Sequence, residues 1–369
     1  MLLRFFARRG SACLPSSHAR ANALRYADYD SNCCSSGITP RFSPLLRKHY
    51  ICSTQPRLAL HQQVEEESLP GYDAEDFYPV NIGDDLHARY HVIGKLGYGS
   101  NSTVWLCKDL QYSEPNATLS VLRLTQCPSK SRYVAAKVCT RMPPSGTNPE
   151  KVLYERLQRI PTIHPGIASI RPVLDTFDLV RKNGNVHVCL IYPPLQCTMF
   201  AFQRVGRRPV PLSEGLVKAA MRNMLEALDY LHTEADVIHC DVKLSNLMLQ
   251  VEDEDVFRDF EQAEENSSSP RKSISEERTI YTSRPLRRPR AYAYGPSQLC
   301  DFGEARTGLI QPWANIQPEV YRAPEILMQF ESYSSAVDIW NVGCVVSVAL
   351  SVDRKRLADA NLSYGICLR

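Results

Sequence analysis

Short apolar strands give way to long amphipathic helices along this chain. Tyr90-His91-Val92-Ile93-Gly94-Lys95-Leu96 alternates loosely, and Thr103-Val104-Trp105-Leu106-Cys107 follows a glycine turn. Tyr133-Val134-Ala135-Ala136-Lys137-Val138 and His187-Val188-Cys189-Leu190-Ile191-Tyr192 read as two further strands. Beyond Pro211 the period lengthens. Leu216, Ala219, Ala220, Met224, Leu225, Ala227, Leu228 and Leu231 fall on one face of a predicted helix. A last apolar run from Val337 to Val352, interrupted by Asp338 and Asn341, reads as a buried core helix and not as a membrane span. Strands followed by helices predict an α+β fold of two lobes, with the boundary near Leu195.

Two stretches interrupt this pattern. Residues 111–131 are rich in Ser and Thr and separate two strands. Residues 250–297 mix acidic and basic runs around Ser267-Ser268-Ser269-Pro270-Arg271-Lys272-Ser273 and are expected to form a mobile surface loop. The first 63 residues carry nine Lys/Arg against two acids, Asp28 and Asp30, with Arg4, Arg8, Arg9, Arg20 and Arg25 ahead of the first acid. That composition fits either a mitochondrial presequence or a disordered basic tail. Over all 369 residues the formal charge is only +3, too small to argue for nucleic acid or membrane as a partner. The thirteen cysteines form no Cys-x-x-Cys pair, which points to scattered thiols in a reducing compartment. His232 and His239 have no paired cysteines at zinc spacing.

Four local groups carry candidate chemistry. Gly97-Tyr98-Gly99-Ser100-Asn101-Ser102-Thr103-Val104 is a glycine-rich turn whose backbone can approach phosphate oxygens and offer N–H groups. Lys137 lies on an apolar strand, where an ammonium is costly unless paired. Its candidate partner is Glu150, with Glu155 about one and a half turns away as the alternative. His239-Cys240-Asp241-Val242-Lys243-Leu244-Ser245-Asn246 sets an Asp and an Asn five residues apart with a lysine between. Asp301-Phe302-Gly303 follows, and then Ala323-Pro324-Glu325.

In this order these groups resemble the protein kinase superfamily, from about Tyr90 to Leu350. Finer features are similar to the SR-protein kinases, especially their filamentous-fungal relatives. Those features are Asp76-Phe77-Tyr78-Pro79-Val80-Asn81-Ile82-Gly83, Lys95-Leu96-Gly97-Tyr98-Gly99, Ser102-Thr103-Val104-Trp105-Leu106, the run from Ile316 to Glu325 and the run from Val337 to Cys344. The resemblance implies ATP and Mg2+ as cofactors and serine in Arg/Ser-rich, splicing-type proteins as the phosphoryl acceptor. It assigns Asp241 to accept the proton of the attacking hydroxyl, Lys243 to neutralise the moving charge, and Asn246 and Asp301 to hold metal. It pairs Lys137 with the nucleotide phosphates and with Glu150, and places Gly97, Gly99, Ser100, Val104, Ala135 and Leu195 around the nucleotide. Tyr192 becomes the gatekeeper, and Leu195 offers its backbone N–H, since Pro193 and Pro194 have none. A monomer in cytoplasm and nucleus is implied, with mitochondria as the alternative location.

The chain also departs from that pattern. Cys240 stands where the family carries an arginine that reads a phosphate on the activation segment, which implies a segment ordered without one. Ser102 replaces the third glycine. A kinase continues on the order of a hundred residues past the helix starting near Asp338, whereas this sequence runs to Arg369. Loss of the following helices is expected to expose Val345, Val346 and Val348 and to leave Glu325 without its arginine. The expected organisation is a tail or presequence at 1–63, a lead-in segment at 64–89 and a small lobe at 90–194. A partial large lobe at 195–350 and an aberrant tail at 351–369 complete it. Residues 111–131 and 351–369 are expected to be gene-model artefacts, which transcript sequencing tests. A truncated, non-catalytic kinase-like binding module is the competing reading. A small-molecule kinase of the same fold is disfavoured by Ala323-Pro324-Glu325 and Asp338-Ile339-Trp340.

Overall fold

A computed structural model describes residues 57–112, 132–142, 146–204, 210–289 and 294–350. The basic stretch through residue 56, most of the 111–131 insertion and the 351–369 tail lie outside the described residues. The first lobe is a six-stranded antiparallel sheet with one helix. Its elements are β1 (Asp85–Leu86), β2 (Tyr90–Gly99), β3 (Ser102–Asp109), β4 (Tyr133–Arg141), α1 (Pro149–Arg159), β5 (Asp175–Val180) and β6 (Val186–Tyr192). The strands are ordered β1-β2-β3-β4-β6-β5.

Alternation along these strands separates two buried faces. Ala135, Val188, Leu190 and Tyr192 pack with Leu153, Tyr154 and Leu157 of α1. The opposite face, with Trp105, Cys107, Ala136, Val138, Cys189 and Ile191, is covered by Val80 of the lead-in segment and by Tyr281. Because both faces are covered, the strands read as nearly continuous apolar runs and not as a strict alternation.

The second lobe begins with β7 (Cys197–Thr198), α2 (Met199–Gln203), α3 (Glu214–Thr233), β8 (Val237–Ile238) and β9 (Leu247–Leu249). Ser213 caps α3, its side chain accepting from Leu216 N at 3.3 Å. The buried face of α3 is rotated from the predicted one. Val217, Met221 and Tyr230 join Leu216, Ala220, Met224, Ala227, Leu228 and Leu231, while Ala219 and Leu225 are exposed. Then come α4 (Asp255–Asn266), β10 (Arg271–Ser273), β11 (Thr279–Tyr281), β12 (Ser297–Leu299), β13 (Arg306–Thr307) and β14 (Ile310–Pro312). The described residues end with α5 (Pro324–Leu327), β15 (Ser332–Ser334) and α6 (Ala336–Leu350). On α6, Val345 is fully buried, contrary to expectation, and Val346 and Val348 are half-buried. The exposed apolar residues are Ile339, Trp340 and Leu350 instead.

The described core of the 250–297 insertion is not the mobile loop expected, and it packs on the first lobe, while Tyr294 and Ser297 at its end stay with the second. It folds into α4 and the β10–β11 hairpin, and these lie on the first lobe. Val256, Phe257 and Phe260 pack with Ile93, Leu106 and Tyr133. The backbone N of Arg284 donates to Lys95 O at 2.9 Å. Its mixed charges, which read as a solvated loop, pair off in the fold. Arg287 is ion-paired with Glu252, Asp253 and Asp259, Arg284 with Glu264, and Lys272 with Glu67 of the lead-in segment.

Candidate active site

Strand register places the first set of predicted residues in one row. Gly97 pairs with Val104, Val104 with Lys137, and Lys137 with Leu190 across β2, β3, β4 and β6. A second row sets Ala135 beside Tyr192. Gly99 pairs with Ser102, and Ser100 lies exposed at the turn between them. A Cβ added at Gly99 would meet no protein atom within 4 Å, and its φ is not left-handed. Packing and backbone conformation therefore do not demand glycine there, but close approach of an outside group would. Leu195 is buried just beyond the first lobe.

Lys137 does not point to water. Its Nζ donates to Glu150 Oε2 at 2.6 Å and to Asp301 Oδ1 at 2.9 Å. Burial alone would lower the pKa of Lys137, but Asp301 and Glu150 outweigh it and hold the ammonium well above its ordinary value. In return Lys137, more than any other group, holds the Asp301 carboxyl well below the usual carboxylate range. Glu150 is buried on the first turn of α1, whereas the alternative, Glu155, is exposed. Asn148 fixes that turn by accepting from Lys151 N at 2.9 Å.

The second set gathers on the loop between β8 and β9. Lys243 Nζ and Asn246 Nδ2 reach Asp241 Oδ2 at 2.6 and 2.9 Å. Asn246 Nδ2 also donates to Asp241 O at 2.9 Å, which closes the loop on itself. The other carboxylate oxygen, Asp241 Oδ1, is buried without a hydrogen-bond partner. Burial pushes the Asp241 carboxyl above its ordinary pKa, and Lys243 partly opposes the shift. Cys300 N donates to Asn246 O at 2.9 Å and so sets Asp301 beside this loop.

Three supports were not foreseen as such. Asp338 on α6, fully buried, accepts from His239 N at 2.8 Å, Cys240 N at 2.9 Å and His232 Nε2 at 2.9 Å. Arg171 donates twice to Pro193 O, at 2.7 and 3.1 Å, and lies over the Tyr192 ring. Tyr192 Oη donates to Glu150 Oε1 at 2.9 Å. Besides its place in the motif from Val337 to Cys344, Asp338 is an acid inside an apolar helix, a costly position that demands partners.

The protein kinase domain family matches residues 90–284, more than half of the sequence. The chain belongs to that family. It is 38 % identical over 297 residues to a serine/threonine protein kinase of Aspergillus fumigatus, covering 80 % of this chain and 66 % of that one. It is 32 % identical over 198 residues to SRSF protein kinase 3 of Mus musculus, covering 51 % of this chain and 30 % of the relative. Protein kinase dsk1 of Schizosaccharomyces pombe is 31 % identical over 219 residues, with 59 % and 36 % covered. The chain thus spans no more than about two thirds of the length of these relatives. Among solved structures, the kinase domain of PF14_0431 shares the fold. Its TM-score is 0.51 at 19 % identity, covering 76 % of this chain and 70 % of that one.

The donor set fits the cofactors this family implies. No cluster of three His, Cys, Asp or Glu able to hold a metal occurs among the described residues. The Asp301 carboxylate and Asn246 Oδ1 are two hard oxygen donors, the partial set that suits a magnesium ion shared with phosphates.

Proposed function

We propose that this chain is a serine/threonine protein kinase that transfers the γ-phosphoryl of ATP to serine in Arg/Ser-rich proteins. The observation that carries the reading is the Asp241 carboxylate, with one oxygen clamped by Lys243 and Asn246 and the other buried without a hydrogen-bond partner. A serine hydroxyl brought to Asp241 Oδ1 would give up its proton there as it attacks. Lys243, 2.6 Å from the same carboxylate, offsets the charge that moves in the transition state. Lys137, oriented by Glu150, would hold the nucleotide phosphates, while the β2–β3 turn covers them. Asp301 and Asn246 would hold magnesium. When bound, magnesium ATP supplies the phosphoryl group and its charge compensation.

The substrate class rests on similarity to the SR-protein kinases, both in the motifs from Asp76 to Cys344 and in the relatives named above. Incubation with radiolabelled ATP and an Arg-Ser repeat peptide tests the reading, with Asp241→Asn as control. Incorporation should fall by about a thousandfold or more in the variant. Magnesium-dependent nucleotide affinity, measured by calorimetry, should stay within about threefold, because Asp241 acts on the acceptor. Equal incorporation by both proteins would overturn the catalytic reading. Nucleotide binding without turnover in the wild type would favour the binding module.

A further inference from the structure

The Lys137–Glu150 pair is held from a third side. Helix α1 starts at Pro149, so Glu150 lies in its first turn, with no earlier turn to fix its direction. A fixed donor compensates. Tyr192, at the end of β6 and 2 % exposed, directs its hydroxyl at Glu150 Oε1 while Lys137 takes Oε2. A planar carboxylate held at both oxygens cannot rotate without losing a charge-assisted bond.

The donor itself is braced. Arg171 Cζ lies 4.6 Å from the centre of the Tyr192 ring and binds the next carbonyl, Pro193 O. The Tyr154 ring lies 5.7 Å away and in turn meets Phe302, which rests against His239 of the catalytic loop. Tyr154 Oη donates to Arg171 O at 2.9 Å, joining the two supports. Meanwhile position 240, where a phosphate-reading charge would sit, is a fully buried thiol among Ile316, Ala323, Tyr333 and Val337.

We propose that Tyr192 is a positioning residue: it locks Glu150 against Lys137 from the sheet, so the pair forms without a phosphate-ordered activation segment. The proposal rests on the kinase reading for its consequence, but the coupling of Tyr192 to α1 can be measured without turnover. Tyr192→Phe removes one oxygen and keeps the ring. Because it strips a bond to a charged group, kcat should fall about tenfold or more, with KM for the peptide unchanged. Hydrogen exchange, followed by mass spectrometry on the nucleotide-free protein, should speed up about tenfold in the first turns of α1 and stay unchanged in α3. In a Glu150→Gln background the same substitution should add less than about twofold, since both act through one carboxylate.

A Tyr192→Phe protein with kcat within twofold of wild type overturns the proposal, whatever its exchange pattern. So do unchanged α1 exchange and equal loss in both backgrounds. Wild type that binds nucleotide but transfers nothing would sink the kinase reading instead. Exchange in α1 would then decide the Tyr192–Glu150 coupling alone.

Discussion

Gly94→Ala tests whether the 250–297 insertion belongs to the first lobe. A methyl carbon built on Gly94 lies 2.8 Å from Phe260 Cε1 and 3.0 Å from Cζ, so α4 abuts the backbone of β2 there. Carbon atoms prefer about 3.5–4.0 Å. The φ of Gly94 is not left-handed, so alanine brings no backbone strain. In a free strand the substitution should therefore stabilise, by about 0.5–1 kcal/mol. Against a seated Phe260, which is only 3 % exposed, it should destabilise by about 1–3 kcal/mol. The sign of the effect thus reports whether the helix is in place. Phe260→Leu trims the ring edge and alone should cost about 1–2 kcal/mol. Combined with Gly94→Ala it should recover part of the loss, giving a coupling of about 1–2 kcal/mol. Urea unfolding followed by tryptophan fluorescence measures all four proteins. A stabilised Gly94→Ala protein, or two strictly additive effects, would refute the docking of α4 on β2.

Glu66→Gln should cost about 2–3 kcal/mol in the same assay. It removes the charge of the nearest partner of the fully buried Lys95, which keeps Tyr281 O at 3.2 Å, Glu65 at 3.7 Å and the Tyr98 ring, somewhat less harm than a wholly orphaned buried charge. Lys137→Met should raise the pKa of Asp301 toward its ordinary value of 3.8, read by NMR of the labelled carboxyl. Asp301 is depressed in the folded state, so its contribution to stability is present above the unfolded pKa and lost as pH falls through the folded one. Acid unfolding of Lys137→Met should accordingly begin at higher pH. Asp241 is shifted the other way, so the acid limb of kcat/KM should lie above pH 3.8 and climb further in Lys243→Met. Burial pushes the thiols of Cys139, Cys240 and Cys300 up to about 12, so peptide mapping after iodoacetamide treatment at pH 8 should find all three unmodified in the native protein and modified in urea.

The parts of the site legible in the sequence are those whose spacing is local. Asp241, Lys243 and Asn246 lie within six residues, and the hydrogen bonds joining them span two and five positions. The groups that brace the site come from far along the chain. Asp338 is 99 residues from His239, and Glu150 is 42 from Tyr192. No periodicity announces such pairs, because each residue alone fits a simpler role: an acid in a helix, an aromatic ending a strand. The fold of the insertion is hidden in the sequence for a related reason. Its helix carries Val256, Phe257 and Phe260 on one face, yet the surrounding charges suggest solvation. Those charges balance only when Arg287 meets Glu252, Asp253 and Asp259, and when Lys108 of β3 meets Glu261. Net charge along a sequence cannot distinguish a solvated run from one that is neutralised pair by pair.

The activation segment shows why a thiol can stand at position 240. From Asp301 to Glu325 the chain is pinned by backbone pairing: β13 on β8, then β14 on β15. Gly308 N donates to Asp236 O at 2.7 Å and Trp313 N to Glu331 O at 2.9 Å, extending both anchors. Gln317 then takes a left-handed φ of 65° and bonds Val337 O, Asn341 Oδ1 and Ala323 N, fastening the end of the segment to α6. Each anchor is a neutral hydrogen bond between protein groups, so none depends on an added charge. Cys240 fills the space beneath them with Ile316, Ile326 and Tyr333. A guanidinium there would be buried in an apolar cluster, near the like charge of Arg306 as well as Glu304, while the Asp338 oxygens already serve the β8–β9 loop. The substitution and the short, backbone-fastened segment are therefore two sides of one arrangement. The order of the segment in this structure comes from hydrogen bonds between protein groups.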